Sequence, residues 1–257
     1  MPEKILATKS KSENQDRKDI VFEEVAELEL PIKIIIEKIR PRIEKGEYGL
    51  IIGDDASGRI PTLILGNFIK KVSESKGINV PNIIFIPGKL IGPFLGFGSE
   101  SMRKKLEDHI NKFGAILEKR ILIVTDTVLT GQSLKTLVGL LREIGFTCDI
   151  ATIGVETDEK DLSDRDGKLQ NSEVISGEFY TEDHHMHNTP KIYKEKTLSG
   201  VTKKVGQTRS TTIKSGEFDE ENKEMVQIQI NQTREDAGIV TDHLVDWYES
   251  QQKENEK

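Results

Sequence analysis

The stretch Ile121-Leu-Ile-Val-Thr-Asp-Thr-Val-Leu-Thr-Gly-Gln-Ser133 contains the pattern that decides the fold of this chain. Its first four residues are apolar, which predicts a strand buried on both faces. The sequence turns polar at Thr125, and a helix is predicted to follow Gly131. Because loop N–H groups and a helix N-terminus favour anions, and because the Asp126 carboxylate can accept hydrogen bonds from hydroxyls, this junction suits a sugar phosphate. The other interpretation is an ordinary turn in which Thr130 or Ser133 caps the helix.

Strands and helices alternate on either side of that stretch. Apolar residues at helical spacing and short apolar runs predict helices near 32–43, 61–75, 102–113 and 134–144, and strands at 50–53, 82–86 and 146–155. We therefore expect an α/β fold with three layers and a mostly parallel central sheet, joined by right-handed crossovers. A polar C-terminal extension that ends in a helix follows this core.

Composition divides the chain into a core and polar segments. Only 35% of the 257 residues are hydrophobic and 32% are charged, so part of the chain is not core. We expect a disordered tail at 1–20, an α/β core at 21–155, a polar flap or loop region at 156–228, and a C-terminal helix packing on the core at 229–257. Short strands within 156–228 are the alternative to long disordered loops.

Charge and cysteine content limit the class of protein. The net charge of −7 argues against a broad nucleic-acid-binding surface. Cys148 is the single cysteine, which excludes an intrachain disulfide framework, fits a reducing compartment and is best interpreted as a packed structural thiol. The sequence has no apolar signal region and no run of transmembrane length, so we expect a soluble, cytoplasmic protein with no membrane partner.

A second turn with anion-binding character follows the strand at 50–53. The backbone N–H groups of Ala56, Ser57 and Gly58 and the guanidinium of Arg59 could meet phosphate oxygens. A turn that only caps the next helix is the plainer interpretation. The two glycines also have P-loop spacing, but Ile60 cannot ligate magnesium where a P-loop needs Ser or Thr, which argues against a nucleotide triphosphatase.

Residues 121–133 resemble the phosphoribosyl-diphosphate-binding motif of type I phosphoribosyltransferases. That motif has four apolar residues, two acids, two apolar residues, Thr or Asp, Thr or Ala, Gly, a variable residue, and Thr or Ser. Residues 130–133 match its end, and Asp126 matches its second acid. Thr125 replaces the first acid, and Leu129 replaces an Asp that aids base proton transfer in purine-using members, which argues against a standard purine salvage enzyme. The resemblance covers 45–155, where the 53–61 turn has the form of the family's pyrophosphate loop.

The resemblance implies a phosphoribosyltransferase, an enzyme of the pentosyltransferase class. It would bind 5-phosphoribosyl diphosphate with Mg²⁺ as cofactor, transfer the phosphoribosyl group to a nucleobase-like nitrogen, and release pyrophosphate. Asp126 is the expected catalytic residue. The expected ribose and 5-phosphate contacts are Thr125, Asp126, Thr127, Thr130, Gly131, Gln132 and Ser133, and the expected pyrophosphate contacts are Asp55, Ala56, Ser57, Gly58, Arg59 and Lys89. No residue is assigned as a direct metal ligand.

Two other functions are compatible with the sequence. A non-catalytic, regulatory protein that binds 5-phosphoribosyl diphosphate is favoured by the missing acids at Thr125 and Leu129. A structural or interaction protein would use only the sheet scaffold. The expected partners are the sugar diphosphate and a base, with no nucleic acid and with a possible homodimer. The acceptor is not set by any motif, because the hood that selects it would come from the N-terminal helix, from 156–228, or from both.

Two further segments have competing interpretations. The glycine-rich loop at 89–99 lies where the family has a mobile flap, but its residues Phe94, Leu95 and Phe97 favour a packing role. The histidines at 184, 185 and 187 match no tight metal-ligand spacing and are interpreted as a solvated cluster.

Overall fold

A single parallel sheet forms the centre of the molecule. The computed structural model describes residues 19–54, 58–86, 99–113, 119–128, 131–155, 172–179 and 223–255. Its strands in these ranges are β1 (Tyr48–Asp54), β2 (Asn82–Ile86), β3 (Arg120–Val128), β4 (Thr147–Val155) and β5 (Glu173–Phe179). They are ordered β2-β1-β3-β4-β5, and every neighbouring pair is parallel.

Helices cover both faces of this sheet. In the described residues they are α1 (Glu23–Ala26), α2 (Glu29–Glu44), α3 (Arg59–Lys76), α4 (Ser99–Asn111), α5 (Gln132–Ile144) and α6 (Lys223–Asn255). The chain therefore has the expected three-layer α/β architecture, with a mostly parallel sheet and a C-terminal helix. The helix predicted at 229–257 begins at Lys223.

Two apolar clusters fill the spaces between the layers. One joins α1, α2, α3 and α6 to a sheet face that includes Ile51 and Leu122. The other joins α4 and α5 to the opposite face, which includes Leu50 and Ile121. Since successive side chains of a strand point to opposite faces, a strand covered on both sides needs apolar residues throughout. This arrangement confirms the buried strand predicted at 121–124.

The end of β3 differs from the sequence-based expectation. The segment predicted to leave the sheet at Thr125 stays in strand conformation to Val128. The reason is β4, which pairs with β3 as far as Val128 and Val155, whereas the β1 pairing ends at Gly53 and Val124. Strand β5 lies within the segment 156–228, which was expected to be a polar flap or loop. The described parts of the chain do not include residues 1–18, 156–171 and 180–222.

Helix α6 joins the two ends of the described chain. Its residues Val240 and Leu244 belong to the first apolar cluster. The backbone N–H of Phe22 donates to Asp236 Oδ2 at 2.7 Å. His243 Nδ1 lies 3.4 Å from Glu29 Oε2, a partner that was not identifiable from the sequence. Helix α6 therefore covers the face formed by α2 and α3.

A buried carboxylate holds the amino edge of the sheet together. The Asp149 side chain is 1% exposed, and it accepts hydrogen bonds from Arg42 Nη1 and Arg120 Nη1, both at 2.9 Å, and from the Tyr48 hydroxyl at 3.0 Å. Burial raises the pKa of Asp149, and the charges of Arg120 and Arg42 oppose that rise. The cluster ties α2 to the beginnings of β1, β3 and β4.

Replacing this carboxylate should destabilise the fold. Asp149→Ala leaves two arginines without their shared partner, and we expect the free energy of unfolding to fall by about 3 kcal/mol. The matched control is Asp242→Ala, because Asp242 is 62% exposed and pairs only across the surface with Lys71, where an ion pair contributes less than about 1 kcal/mol. Urea titrations of both variants measure the difference, and equal losses would contradict the structural role given to Asp149.

Cys148 should be unreactive in the folded protein. The thiol is buried, and burial raises its pKa to about 12, whereas an ordinary cysteine has a pKa of about 8.5. At pH 8 we expect Ellman's reagent to react on the order of a thousandfold more slowly with native protein than with protein in guanidinium, because the thiolate is the reactive form. Equal rates in the two states would contradict this.

The same pKa shift predicts a pH dependence of stability. Since Cys148 keeps its proton to a higher pH in the folded state, the free energy of unfolding should fall as the pH rises from about 8.5 toward 12.

Candidate functional site

The order of the strands places a crevice between β1 and β3. From β1 the chain crosses to β2 on one side, then returns to β3 on the other side and continues outward to β4 and β5. In open α/β sheets, ligands bind outside the carboxyl ends of the strands at this kind of switch point. The two turns singled out in the sequence follow β1 and β3, which are the two strands that flank this switch point.

Gly58 brings the first turn into contact with the end of β3. Its N–H donates to Asp54 O at 2.8 Å, and its carbonyl accepts the Thr62 hydroxyl at 2.6 Å. A Cβ at Gly58 would lie 2.6 Å from Val124 O, closer than real Cβ atoms approach backbone, and 3.1 Å from Thr125 Cα, which is an unusually tight contact. The start of α3 therefore lies directly against the carboxyl end of β3.

A single hydroxyl lies between two carboxylates at this edge. Thr125 is 2% exposed, and its Oγ1 lies 3.4 Å from Asp54 Oδ2 and 3.2 Å from Asp126 Oδ1. It has one proton and can donate to one of them at a time. Asp54 and Asp126 are partly exposed. Because a carboxylate at position 125 would add a third like charge here, a neutral hydroxyl fits this position better.

The sequence leaves the role of Asp54 open, because the side chain could be turned away, bind Mg²⁺, or accept hydrogen bonds from ribose or acceptor, and no contact is assigned to it. As the last residue of β1, it follows Gly53, which pairs with Val124, so that it lies beside Thr125. The order of the motifs already contained this information, because the residue after the last β1–β3 pair must lie beside the residue that follows Val124 on β3. It could be used only once the register of the two strands was known.

At the level of Thr125, three neighbouring strands carry hydroxyl side chains where the deeper positions are mostly aliphatic. Thr125 pairs with Thr152 of β4, which pairs with Ser176 of β5, and all three are buried. The Thr152 hydroxyl lies 2.9 Å from both Asp126 O and Gly154 O and can donate to either. Thr152 therefore helps to hold the backbone that carries the Asp126 carboxylate.

Helix α5 begins at a glycine. Gly131 is its N-cap, with a φ of 68°, and its carbonyl accepts the N–H of Lys135 at 2.9 Å. This left-handed conformation favours glycine. Because Gly131 occupies the N-cap position, the alternative interpretation in which Thr130 or Ser133 is the N-cap residue is wrong. Helix α3 also has a glycine N-cap, Gly58, so neither helix start is capped by the side chain of its own N-cap residue. The first N–H groups of both helices lie at the carboxyl edge, where the helix dipoles favour anions.

Two side chains of the first helical turn of α3 have different environments. The Arg59 guanidinium carbon lies 4.0 Å from the centre of the Phe85 ring. Ile60 is buried in the first apolar cluster, which agrees with the rejection of a P-loop, where a Mg²⁺ ligand would occupy its position.

The structure describes part of the expected site. It places Gly58 against Thr125, with Arg59 next to Gly58 at the start of α3, Asp126 and Thr127 next to Thr125 in β3, and Gly131 at the start of α5. The other expected residues, Asp55, Ala56, Ser57, Lys89 and Thr130, lie outside the described residues, as do the side chains of Gln132 and Ser133, the loop at 89–98 and the histidines at 184, 185 and 187.

No group of three or more His, Cys, Asp or Glu side chains within the described residues is arranged to hold a metal ion. None of the helices in the described part of the chain combines the length and the apolar character needed to cross a membrane.

Comparisons with known proteins give a structural likeness but no match to a family model or a curated protein. Among solved structures, the chain is similar to hypoxanthine-guanine phosphoribosyltransferase from Schistosoma mansoni, solved in complex with IMP, with 12% identity and a TM-score of 0.40. The match covers 62% of this chain and 66% of that chain, just under two thirds of its length.

The contact at Gly58 can be tested with a pair of glycine variants. Gly58→Ala should lower the free energy of unfolding by about 1–3 kcal/mol, because the new methyl group would overlap Val124 O. Gly238→Ala is the matched control, since a Cβ there meets nothing within 4 Å inside α6 and should stabilise the helix by about 0.5–1 kcal/mol. Denaturant titrations measure both, and a neutral or stabilising Gly58→Ala change would contradict the close approach.

Proposed function

We propose that this chain is a phosphoribosyltransferase that binds 5-phosphoribosyl diphosphate across the β1/β3 switch point. In this proposal it transfers the phosphoribosyl group to a nucleobase-like nitrogen and releases pyrophosphate. The observation that carries the proposal is the contact of Gly58 with the backbone of Val124 and Thr125. This contact places the start of α3 against the carboxyl end of β3. A sugar with phosphate groups at both ends is a ligand that would contact the turns after both β1 and β3.

Each turn would hold one phosphorylated end of the donor. The residues at 130–133 and the N-terminus of α5 would bind the 5-phosphate through backbone N–H groups, with the left-handed Gly131 giving the turn its shape. The residues at 55–59 would bind the pyrophosphate, with the N-terminus of α3 and the Arg59 guanidinium supplying positive charge. Lys89 would add a further cation.

The ribose would lie between the turns, against the carboxylates. Asp126 would accept hydrogen bonds from the ribose hydroxyls, and Thr125 and Thr127 would line the same strand end. Asp54 would share this task from β1, because the Thr125 hydroxyl reaches both carboxylates. Asp54 would then take the place of the motif's first acid, whose position is occupied by Thr125, while Asp126 is the second acid.

The carboxylates also fit a magnesium ion. Mg²⁺ is commonly bound by one or two carboxylates together with substrate phosphates and water. Asp54 and Asp126 are partly exposed oxygen ligands beside one another at this edge. When bound with the donor, the ion would neutralise charge on the departing pyrophosphate.

The proposed reaction depends on positioning and charge more than on covalent help. The bond from C1 of the ribose to the pyrophosphate oxygen breaks, and pyrophosphate leaves with the electron pair. A bond forms from C1 to the acceptor nitrogen, which loses its proton. Arg59 and the backbone N–H groups of the first turn would stabilise the leaving group, while the Asp126 carboxylate would stabilise the positive charge that develops on the sugar.

An assay of pyrophosphate release separates the candidate functions. The full chain is incubated with 5-phosphoribosyl diphosphate, Mg²⁺ and a panel of nucleobases, and donor binding is measured separately by calorimetry. Release that depends on a base supports the transferase. Donor binding without release under any base indicates the regulatory protein, and no donor binding would overturn both proposals.

Asp126→Asn should weaken donor binding. A hydrogen bond to a charged acceptor contributes about 1.5–3 kcal/mol, so loss of the charge should raise the Kd for 5-phosphoribosyl diphosphate by about tenfold to a hundredfold. Asp242→Asn is the control, because Asp242 is an exposed α6 residue that forms an ion pair with Lys71 of α3. This change should leave the Kd unchanged. An unchanged Kd for Asp126→Asn in folded protein would remove Asp126 from the site.

A further inference from the structure

Phe85 is an aromatic residue that neither apolar core uses. It is the fourth residue of β2, it pairs with Gly53 of β1, and its side chain is partly exposed. Both apolar clusters of the described residues omit it, although its β2 neighbours Ile84 and Ile86 are in the second cluster and Ile83 packs against the first. Packing of the core therefore does not explain an aromatic side chain at this position.

The backbone of β1 makes room for the Phe85 ring. A Cβ at Gly53 would lie 2.6 Å from Phe85 Cδ1 and 2.7 Å from both Phe85 Cε1 and Thr62 Oγ1. Any larger residue at Gly53 would clash with both the ring and the Thr62 side chain. The ring thus lies over β1, beside the helix start that carries Arg59.

Arg59 lies on the face of this ring. The guanidinium carbon is 4.0 Å from the ring centre, well within the range of a cation–π contact. A cation held over a ring is restricted in where it can lie. Phe85 therefore restrains the guanidinium beside the first turn of α3.

We propose that Phe85 is a positioning residue of the anion site, and that its ring orients the Arg59 guanidinium for the pyrophosphate end of the donor. This inference rests on the proposed function. A flexible arginine must lose rotamer freedom when it binds an anion, and a side chain already held against a ring loses less. Phe85 thereby raises affinity for pyrophosphate without touching it.

The effect should be confined to one end of the donor. We expect Phe85→Leu to raise the Kd for Mg²⁺-pyrophosphate by about twofold to fivefold, and to leave the Kd for ribose 5-phosphate unchanged. Phe85→Tyr should keep wild-type affinity for both ligands, because it retains the ring. A general loss of structure would weaken both ligands together, so this split separates positioning from folding.

Two matched variants sharpen the test. Phe113→Leu makes the same change in a partly buried phenylalanine that packs on the second apolar cluster, and it should leave both Kd values unchanged. In an Arg59→Met background, Phe85→Leu should have no further effect on the Kd for pyrophosphate, since the ring would act only through the guanidinium. Calorimetry measures all these constants, with thermal melting as a check that each variant is folded.

The outcomes distinguish this inference from the function on which it rests. If wild-type protein binds pyrophosphate and Phe85→Leu binds it equally well, the role of Phe85 is wrong and the proposed function stands. A Phe85 effect that persists in the Arg59→Met background would also overturn the role. If wild-type protein binds neither pyrophosphate nor 5-phosphoribosyl diphosphate, the proposed function and the role of Phe85 both fail.

Discussion

The backbone contact between Gly58 and the end of β3 is the constraint on which the candidate site depends. It requires the absence of a single carbon atom, because a Cβ would overlap Val124 O. With that atom absent, helix α3 can begin against the sheet edge, and its first turn carries Arg59 to the crevice. Without this approach, the start of α3 would lie farther from the carboxyl end of β3.

The carboxylates at the two edges of the sheet differ in burial and in their partners. At the amino edge, the buried Asp149 accepts hydrogen bonds from Arg42, Arg120 and Tyr48, which hold the layers together. Glu173 also pairs with Arg42, so two carboxylates balance two guanidinium groups. At the carboxyl edge, Asp54 and Asp126 are partly exposed and share one hydroxyl. The first arrangement is suited to stability, and the second keeps polar groups accessible to a ligand.

The alternation of strands and helices was predictable because it is local: periodicity reports which residues a single element buries. The extension of β3 to Val128 was not, since it depends on pairing with β4 beyond the end of β1. Asp54 was not assigned to the site, and Phe85 was not singled out, for a related reason. Their importance comes from neighbours on other strands and on α3, and no pattern within a short stretch reports register across a sheet.

Helix α6 has a consequence for how the chain acquires its structure. The apolar surface of α3 is completed by Val240, Leu244 and Tyr248, which are made more than 160 residues after the end of α3 at Lys76. During synthesis on the ribosome, that surface stays open to water until the last helix emerges, and exposed surface of this kind attracts other unfolded chains. Contacts this distant in sequence also slow folding. The nascent protein therefore has a long interval in which chaperone binding would protect it.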